Sequence, residues 1–142
     1  MPADAARLKR LARLERVRAL VKQDALRAAA EAEGQLAQLK ALADRTARIA
    51  EDYRARRDCE NGADLKRLNG FVDGIAAIGL ATSRDAVTAH GLADQRQQEL
   101  ARAERSRAAV EERVRTETRA QAARTKLPAL APRRSLGTAL EG

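Results

Sequence analysis

Apolar residues recur every three or four positions over the first part of the chain, which is the spacing of one face of a long helix. The average step is close to the 3.5 residues of a left-handed coiled coil. The residues of this contact stripe are Leu14, Val17, Val21, Ala25, Ala28, Ala32, Leu36, Leu39, Leu42, Thr46, Ile49 and Tyr53. They predict a helical arm from Asp4, a suitable N-cap, to about Asp58.

A second stretch with the same alternation predicts a second helical arm, from Asp64 to about Lys126. Its stripe contains Leu65, Leu68, Val72, Ile75, Gly79, Thr82, Ala86, Ala89 and Ala93, followed less regularly by Gln97, Leu100, Glu104, Ala108, Glu111, Val114 and Thr118. Beyond Lys126 the periodicity ends, and Pro128, Pro132 and Gly137 interrupt the sequence. We expect residues 127–142 to form a flexible tail.

The two arms are separated by Cys59–Ala63, the one convincing turn between residues 5 and 125. Asn61-Gly62 tolerates positive φ at low steric cost, so a helix can stop there and the chain can reverse. Asp64 would then supply the N-cap of the next helix. The predicted fold is all-α: an antiparallel coiled-coil hairpin over 1–126, with arms 4–58 and 64–126 joined by turn 59–63.

The composition agrees with long helices rather than a compact core. The chain has one Phe, one Tyr and no Trp, and 34% of its residues are charged. Its lone cysteine fits a reducing compartment. No apolar run approaches the roughly 18 residues of a membrane span, and arginines stand where a secretory signal would carry its apolar stretch. We expect a cytoplasmic protein without membrane insertion.

The net charge of +8 is concentrated near the N-terminus. Residues 4–27 contain Arg7, Lys9, Arg10, Arg13, Arg16, Arg18, Lys22 and Arg27 against Asp4, Glu15 and Asp24. Such a basic helix end attracts acidic protein, nucleic acid or lipid headgroups, and charge alone does not choose among them.

Candidate catalytic chemistry is sparse. The sequence has no glycine-rich phosphate loop, no His or Cys pair and no acidic cluster at metal-ligand spacing. His90 is better explained as a solvated or seam histidine than as a general base, and Cys59 as an ordinary turn thiol. We therefore predict a protein that is not an enzyme and has no metal, cofactor or small-molecule substrate.

The two aromatic residues allow two interpretations. Phe71 falls with Ile78 on the flank of the contact stripe near the turn, where an exposed ring would suit a binding role. Alternatively, Phe71 folds back over the stripe beside Tyr53, because two helices cannot fully bury a ring.

The arms and turn together resemble the FliJ family of flagellar type III export stalk proteins, whose virulence-secretion counterpart is YscO. The resemblance covers both arms and the turn but not the tail. It rests on the single small hairpin and on the segments Ala32-Glu33-Gly34-Gln35-Leu36, Asp52-Tyr53-Arg54 and Leu65-Lys66-Arg67-Leu68-Asn69-Gly70-Phe71-Val72-Asp73-Gly74-Ile75. The last of these is similar to the family's Asn-x-x-Phe-Ile stretch after the turn.

This resemblance implies a monomeric stalk and chaperone-escort protein, peripherally associated with the inner-membrane export apparatus. The paired helix ends would enter the hexameric export ATPase and stimulate it, and the region near the turn would contact the cytoplasmic domain of the export gate and export chaperones. The implied ATPase-ring contacts are Arg7, Arg10, Arg13, Arg16 and Arg18. The implied export-gate contacts are Gln35, Leu39, Tyr53, Phe71, Ile75 and Ile78.

Two other classes of function remain open at this point. A basic coiled-coil protein could bind nucleic acid or the ribosome, although aromatic residues for base stacking are missing from the basic arm. A generic scaffold could instead leave the 59–63 turn unused and pair two chains as a dimer. The resemblance also does not separate a flagellar system from a virulence-type system.

Overall fold

A computed structural model shows two long α-helices, α1 (Pro2–Arg54) and α2 (Gly62–Glu141). It describes the backbone of residues 2–56 and 59–141, and side chains over 3–56 and 59–126. Within the described backbone there is no strand. The helices pack against each other as a helical hairpin, which confirms the predicted all-α fold class.

The helical pairing is organised in two units, each with a segment from either helix. The terminal unit comprises Met1–Asp24 and Ala101–Gly142, and the central unit is the continuous segment Ala25–Leu100 that contains the turn.

The turn begins earlier in the sequence than predicted, because α1 ends at Arg54 rather than near residue 58. The last helical bonds run from the amide of Ala55 to the carbonyl of Glu51 (3.0 Å) and from the amide of Arg56 to the carbonyl of Tyr53 (3.3 Å). The shorter loop of the second bond tightens the last turn, as is common at helix ends. The part of the predicted arm at 57–58 lies outside the described residues.

Asn61, not Asp64, caps the start of α2. The Asp64 amide donates a hydrogen bond to Asn61 Oδ1 (2.9 Å), and the Leu65 amide donates to the Asn61 carbonyl (3.1 Å). Gly62 is therefore already helical, and no described residue has positive φ. Both the positive-φ turn and the Asp64 cap were wrong predictions. Asn caps as well as Asp does, and Asp64 instead places its charge near the positive end of the helix dipole.

The core of the central unit is built from small side chains. Its buried residues are Ala29, Ala32, Leu36, Thr46, Ala50, Val72, Thr82 and Ala93. The buried and half-buried positions step by four and three along both helices: 29, 32, 36, 39, 43, 46, 50 and 53 in α1, and 68, 72, 75, 79, 82, 86, 89 and 93 in α2. This is a strict seven-residue repeat, which keeps one stripe of each helix facing the other.

Three predicted stripe positions of the central unit were wrong. Leu42 and Leu65 are about half exposed, at 48% and 49%, and Gln97 is also exposed. Ala43 takes the place expected for Leu42, because a small residue lets the helices approach closely. A Cβ atom built on Gly79 would lie 3.3 Å from Thr46 Cγ2, so the helix backbones have no room for a larger pair there.

The two buried threonines have satisfied hydroxyls. Thr46 Oγ1 donates to the Leu42 carbonyl (2.7 Å) and Thr82 Oγ1 to the Ile78 carbonyl (2.8 Å), each one turn earlier in its own helix. This bonding removes the desolvation penalty of a buried hydroxyl. Threonine can therefore stand in the contact stripe where a valine-sized residue fits.

Leu11 and Val110 are the buried apolar residues among the described side chains of the terminal unit. The predicted stripe residues Val17 and Val21 are exposed, as are Glu104, Ala108 and Thr118, so these predictions were wrong. In α2 the contacting positions are instead 103, 107, 110, 114, 117 and 121, again in steps of four and three. Arg107 and Glu117 occupy two of them, which is why a search for apolar residues missed the register.

The helical backbone of α2 extends beyond the end at Lys126 that we had predicted, to Glu141. Ala and Leu around Pro128 and Pro132 favour helix, although each proline removes one helical hydrogen bond. The side chains of the predicted flexible tail lie outside the described residues, so its flexibility stays a prediction.

The close approach at Gly79 gives a matched pair of substitutions. Gly79→Leu is expected to destabilise the hairpin by about 1–3 kcal/mol, because the side chain would collide with Thr46. Gly74→Leu is expected to stabilise by about 0.5–1 kcal/mol, since a Cβ at Gly74 meets nothing within 4 Å and leucine favours helix more than glycine does. Urea midpoints followed by circular dichroism would measure both. Equal midpoints for the two variants would contradict close packing at Gly79.

Candidate protein-binding surfaces

The outer side of α1 in the terminal unit presents a basic face, formed by Lys9, Arg10, Arg13 and Arg16, whereas Arg18 lies on another side of the helix. All five side chains are exposed. Among the described residues, none has a carboxylate within 4 Å. Arg10, Arg13 and Arg16, three of the five arginines assigned to an ATPase ring by resemblance, therefore lie together as uncompensated surface charge, and Arg18 is exposed on another side of the helix.

Arg7, the fifth, is placed differently. It forms an ion pair with Glu117 of α2 (3.3 Å), with its side chain 56% exposed. Two further pairs join the helices of this unit, Lys22 with Glu104 (3.0 Å) and Asp4 with Arg124 (2.6 Å). Such exposed pairs each contribute about 0–1 kcal/mol. They neutralise the side of α1 that lies next to α2 and leave the basic face unpaired.

Glu111 is the centre of a local charge network in the same unit. Arg115 donates a hydrogen bond to its carboxylate (2.9 Å), and this bond, with the positive charges of Arg115, Arg107 and Lys22, lowers the pKa of Glu111. The same bond and the charges of Glu111 and Glu112 raise the pKa of Arg115. The carboxylate thus stays ionised and balances the half-buried Arg107 in the contact stripe.

In the central unit, the two aromatic rings meet beside the turn. Tyr53 and Phe71 pack edge to face, with ring centroids 4.9 Å apart and planes at 63°. The Arg56 guanidinium lies over the Tyr53 ring, 4.1 Å from its centre. The ring pair contributes about 0.5–1.5 kcal/mol beyond its burial, yet Phe71 is still 46% exposed. Phe71 therefore packs on Tyr53 and is still partly exposed at the surface, and its binding role stays a prediction.

The other residues assigned to an export gate separate into three settings. Ile78 is 55% exposed and stands seven residues after Phe71, so both lie on one face of α2. Leu39 and Ile75 are half buried in the contact stripe. Gln35 lies away from the rings, in a shallow groove with Leu92 and Arg96. The structure therefore brings Tyr53, Phe71 and Ile78 to one region and leaves Gln35 outside it.

A larger open groove in the central unit follows the small residues of the contact stripe. Its volume is about 300 Å³. It is lined by Ala43, Thr46, Ala47, Ala50, Glu51, Arg54, Ile75, Ala76, Gly79, Leu80 and Ser83. The only charged side chains are Glu51 and Arg54, which pair with each other (3.6 Å). The groove can receive an apolar side chain but does not bring together groups for acid–base or nucleophilic chemistry.

The two reactive side chains singled out in the sequence have ordinary settings. His90 is exposed and its Nδ1 lies 3.3 Å from Asp94 Oδ2, one turn further along α2. Cys59 is a half-buried free thiol in the turn. Over the described residues, no group of three His, Cys, Asp or Glu side chains could hold a metal ion. In that same part of the chain, neither helix has a stretch that is apolar and long enough to cross a bilayer.

Sequence reasoning missed a set of exposed aliphatic residues. Val17 and Leu20 are 53% and 61% exposed in α1, and Leu80 and Val87 are 57% and 74% exposed in α2. Extending the seven-residue repeat through Glu15 and Lys22, despite their charge, would have placed Val17 outside the contact stripe. The strict seven-residue period, rather than the hydrophobicity of each residue, was therefore the sequence feature that could have identified Val17 as exposed.

No protein-family model, curated protein or solved structure matches this chain.

Proposed function

We propose that this chain is a non-enzymatic stalk and escort component of a bacterial type III protein export apparatus of the flagellar kind. It works in the cytoplasm, peripherally to the inner membrane, as a monomeric antiparallel coiled coil. The terminal unit engages the hexameric export ATPase and stimulates it. The central unit contacts the cytoplasmic domain of the export gate and export chaperones.

The observation that carries this proposal is the position of the Asn69–Ile78 segment. It follows directly after the turn of a helical hairpin, and it exposes Phe71 and Ile78 on one face of α2. That is the arrangement which the resemblance to the export stalk family requires of a gate contact. Large apolar side chains that stay half exposed beside a turn are typical of binding hot spots.

The basic face of the terminal unit supports the second contact. Its exposed arginines have no carboxylate partner among the described residues, so they are available to carboxylates of another protein. Complementary charge of this kind raises association rates and fixes orientation more than it raises affinity. A basic helix end without its own counter-charges suits repeated engagement of an acidic ring.

Gate binding is tested by truncating the exposed ring. Phe71→Ala is expected to weaken binding to the cytoplasmic domain of the export gate by about 10- to 100-fold, since a hot-spot aromatic contributes about 2 kcal/mol or more. Isothermal titration with the purified gate domain measures the change. Val87→Ala is the matched control, because Val87 is 74% exposed on the same helix and lies outside the assigned gate contacts. Equal loss in both variants, or no loss in Phe71→Ala, would remove the gate assignment.

The two alternative functions have less support. The hairpin contradicts the premise of the dimeric scaffold, an unused turn, because α1 and α2 of one chain pack against each other. Nucleic-acid binding is favoured only by the unpaired arginines. Both aromatic residues of the chain, Tyr53 and Phe71, belong to the central unit, whereas the basic face belongs to the terminal unit.

A further inference from the structure

Three aliphatic side chains stand exposed on α1 within the terminal unit. Val17 is 53%, Leu20 61% and Val21 44% exposed. Residues three and four apart share a face of a helix, so the three form one continuous apolar patch. In a chain rich in charge, such a patch calls for a partner that removes it from water.

The basic face borders this patch on its N-terminal side. Arg13 precedes Val17 by one turn and Arg16 precedes Leu20 by one turn, while Arg10 lies one turn before Arg13 on the same side. Among the described residues none of these three arginines has a carboxylate within 4 Å. Of the acidic residues in this part of α1, Asp4 is paired with Arg124 and Glu15 is half buried. The first exposed acid is Asp24, at the far end of the patch.

We propose that this face of the terminal unit docks on the surface of an anionic lipid bilayer. The arginines lie among the headgroup phosphates, and Val17, Leu20 and Val21 enter the boundary between headgroups and acyl chains. A helix with basic residues around an aliphatic patch binds membranes in this way, lying in the interface rather than crossing it. Anionic lipid attracts each nearby Lys or Arg enough to raise binding roughly fivefold.

The aliphatic patch favours lipid over the other acidic partners. Nucleic-acid phosphates could pair with the arginines but would leave the patch in water, and no aromatic residue of the chain lies in the terminal unit to stack on bases. The arginines are shared with the proposed ATPase contact, so one copy binds either the ring or the membrane. Val17, Leu20 and Val21 take part only in membrane docking and not in the proposed ATPase contact.

The test is co-sedimentation of the full chain with vesicles of phosphatidylcholine, with or without phosphatidylglycerol. Binding is expected only with phosphatidylglycerol and is expected to fall as salt is raised. Val17→Gln/Leu20→Gln is expected to weaken that binding by roughly tenfold or more, because two side chains no longer enter the interface. The matched control is Leu80→Gln/Val87→Gln, which removes two exposed aliphatic residues (57% and 74%) that belong to the central unit rather than to the basic face, and which should bind as the parent does.

Three results would overturn the proposal: equal sedimentation with both vesicles, equal loss in the two variants, or full binding by Val17→Gln/Leu20→Gln. A single-stranded RNA that binds the parent and the Val17→Gln/Leu20→Gln variant equally, while the parent sediments with vesicles and the variant does so at least tenfold less, leaves the proposal standing. If RNA binds and vesicles do not, nucleic acid replaces lipid as the ligand of this face.

Circular dichroism and the urea midpoint verify that both variants fold. ATPase stimulation retained by Val17→Gln/Leu20→Gln separates this face's lipid role from the proposed stalk function.

Discussion

Reversing Arg10, Arg13 and Arg16 to glutamate is expected to abolish stimulation of the cognate export ATPase. Each side chain is exposed, and none has a carboxylate within 4 Å in the described part of the chain. In contact with an acidic ring, each reversal replaces an attraction by a repulsion. With about 0.5 kcal/mol for each attraction and each repulsion, three reversals amount to about 3 kcal/mol, or roughly a hundredfold weaker engagement.

This variant should fold like the parent, because exposed substitutions away from caps and cores change stability by about 0.5 kcal/mol or less. The control is a triple reversal of Arg45, Arg48 and Arg84, which are exposed in the central unit and change the net charge equally. The measurement is ATP turnover by the purified ATPase at increasing concentrations of each variant. Unchanged turnover with the Arg10/Arg13/Arg16 variant would remove the basis of the ring contact. An equal loss of ATP turnover with the control would mean that the effect comes from net charge rather than from the position of the three arginines.

Leu36→Ala is expected to destabilise the hairpin by about 2–4 kcal/mol. Leu36 is 5% exposed and packs in a cluster with Ala32 and Ala93, which Ala86 and Ala89 border. It is the one large side chain among these five residues, so its removal leaves a cavity that alanines cannot fill. A loss of this size is a large share of the stability of an ordinary domain.

The matched control for this substitution is Leu42→Ala, six residues further along the same helix. Leu42 is 48% exposed, so much of its area is in water already, and a loss below about 1 kcal/mol is expected. Urea unfolding followed by circular dichroism measures both variants. The sequence placed both leucines in the contact stripe, whereas the structure separates them. Equal losses would mean that the register of α1 described here is wrong.

The sequence predicted the central unit better than the terminal unit for a physical reason. In the central unit the contact stripe of α2 is apolar or small at almost every step, from Leu68 to Ala93, so hydrophobic spacing reports the register directly. In the terminal unit Lys22, Arg107 and Glu117 occupy stripe positions and are half buried, as long charged side chains can be when their stems cover apolar surface. A contact stripe predicted from apolar residues therefore included Val17 and Val21, which are exposed.

The candidate surfaces were predicted unevenly as well. The excess of arginine could be counted in the sequence, and so could the placement of Phe71 after the turn. The sequence could not predict which arginines and lysines lack a partner. Pairing depends on which residues of α2 lie opposite α1, such as Glu117 beside Arg7. The contact of Phe71 with Tyr53 and the stacking of Arg56 on Tyr53 likewise depend on the path of the turn.

By itself, the amino-acid sequence determined that this chain forms two long helices and where it reverses. Helix propensity, a three–four period and a break near Asn61 act locally, so they can be recognised without a partner. Only the tertiary structure decided which face of each helix is covered, that Asn61 rather than Asp64 caps α2, and that aliphatic residues stand exposed among the arginines of α1. In the central unit the covered face follows from the close approach of the two backbones at Gly79 and Thr46, which selects one register out of several that hydrophobicity alone allows.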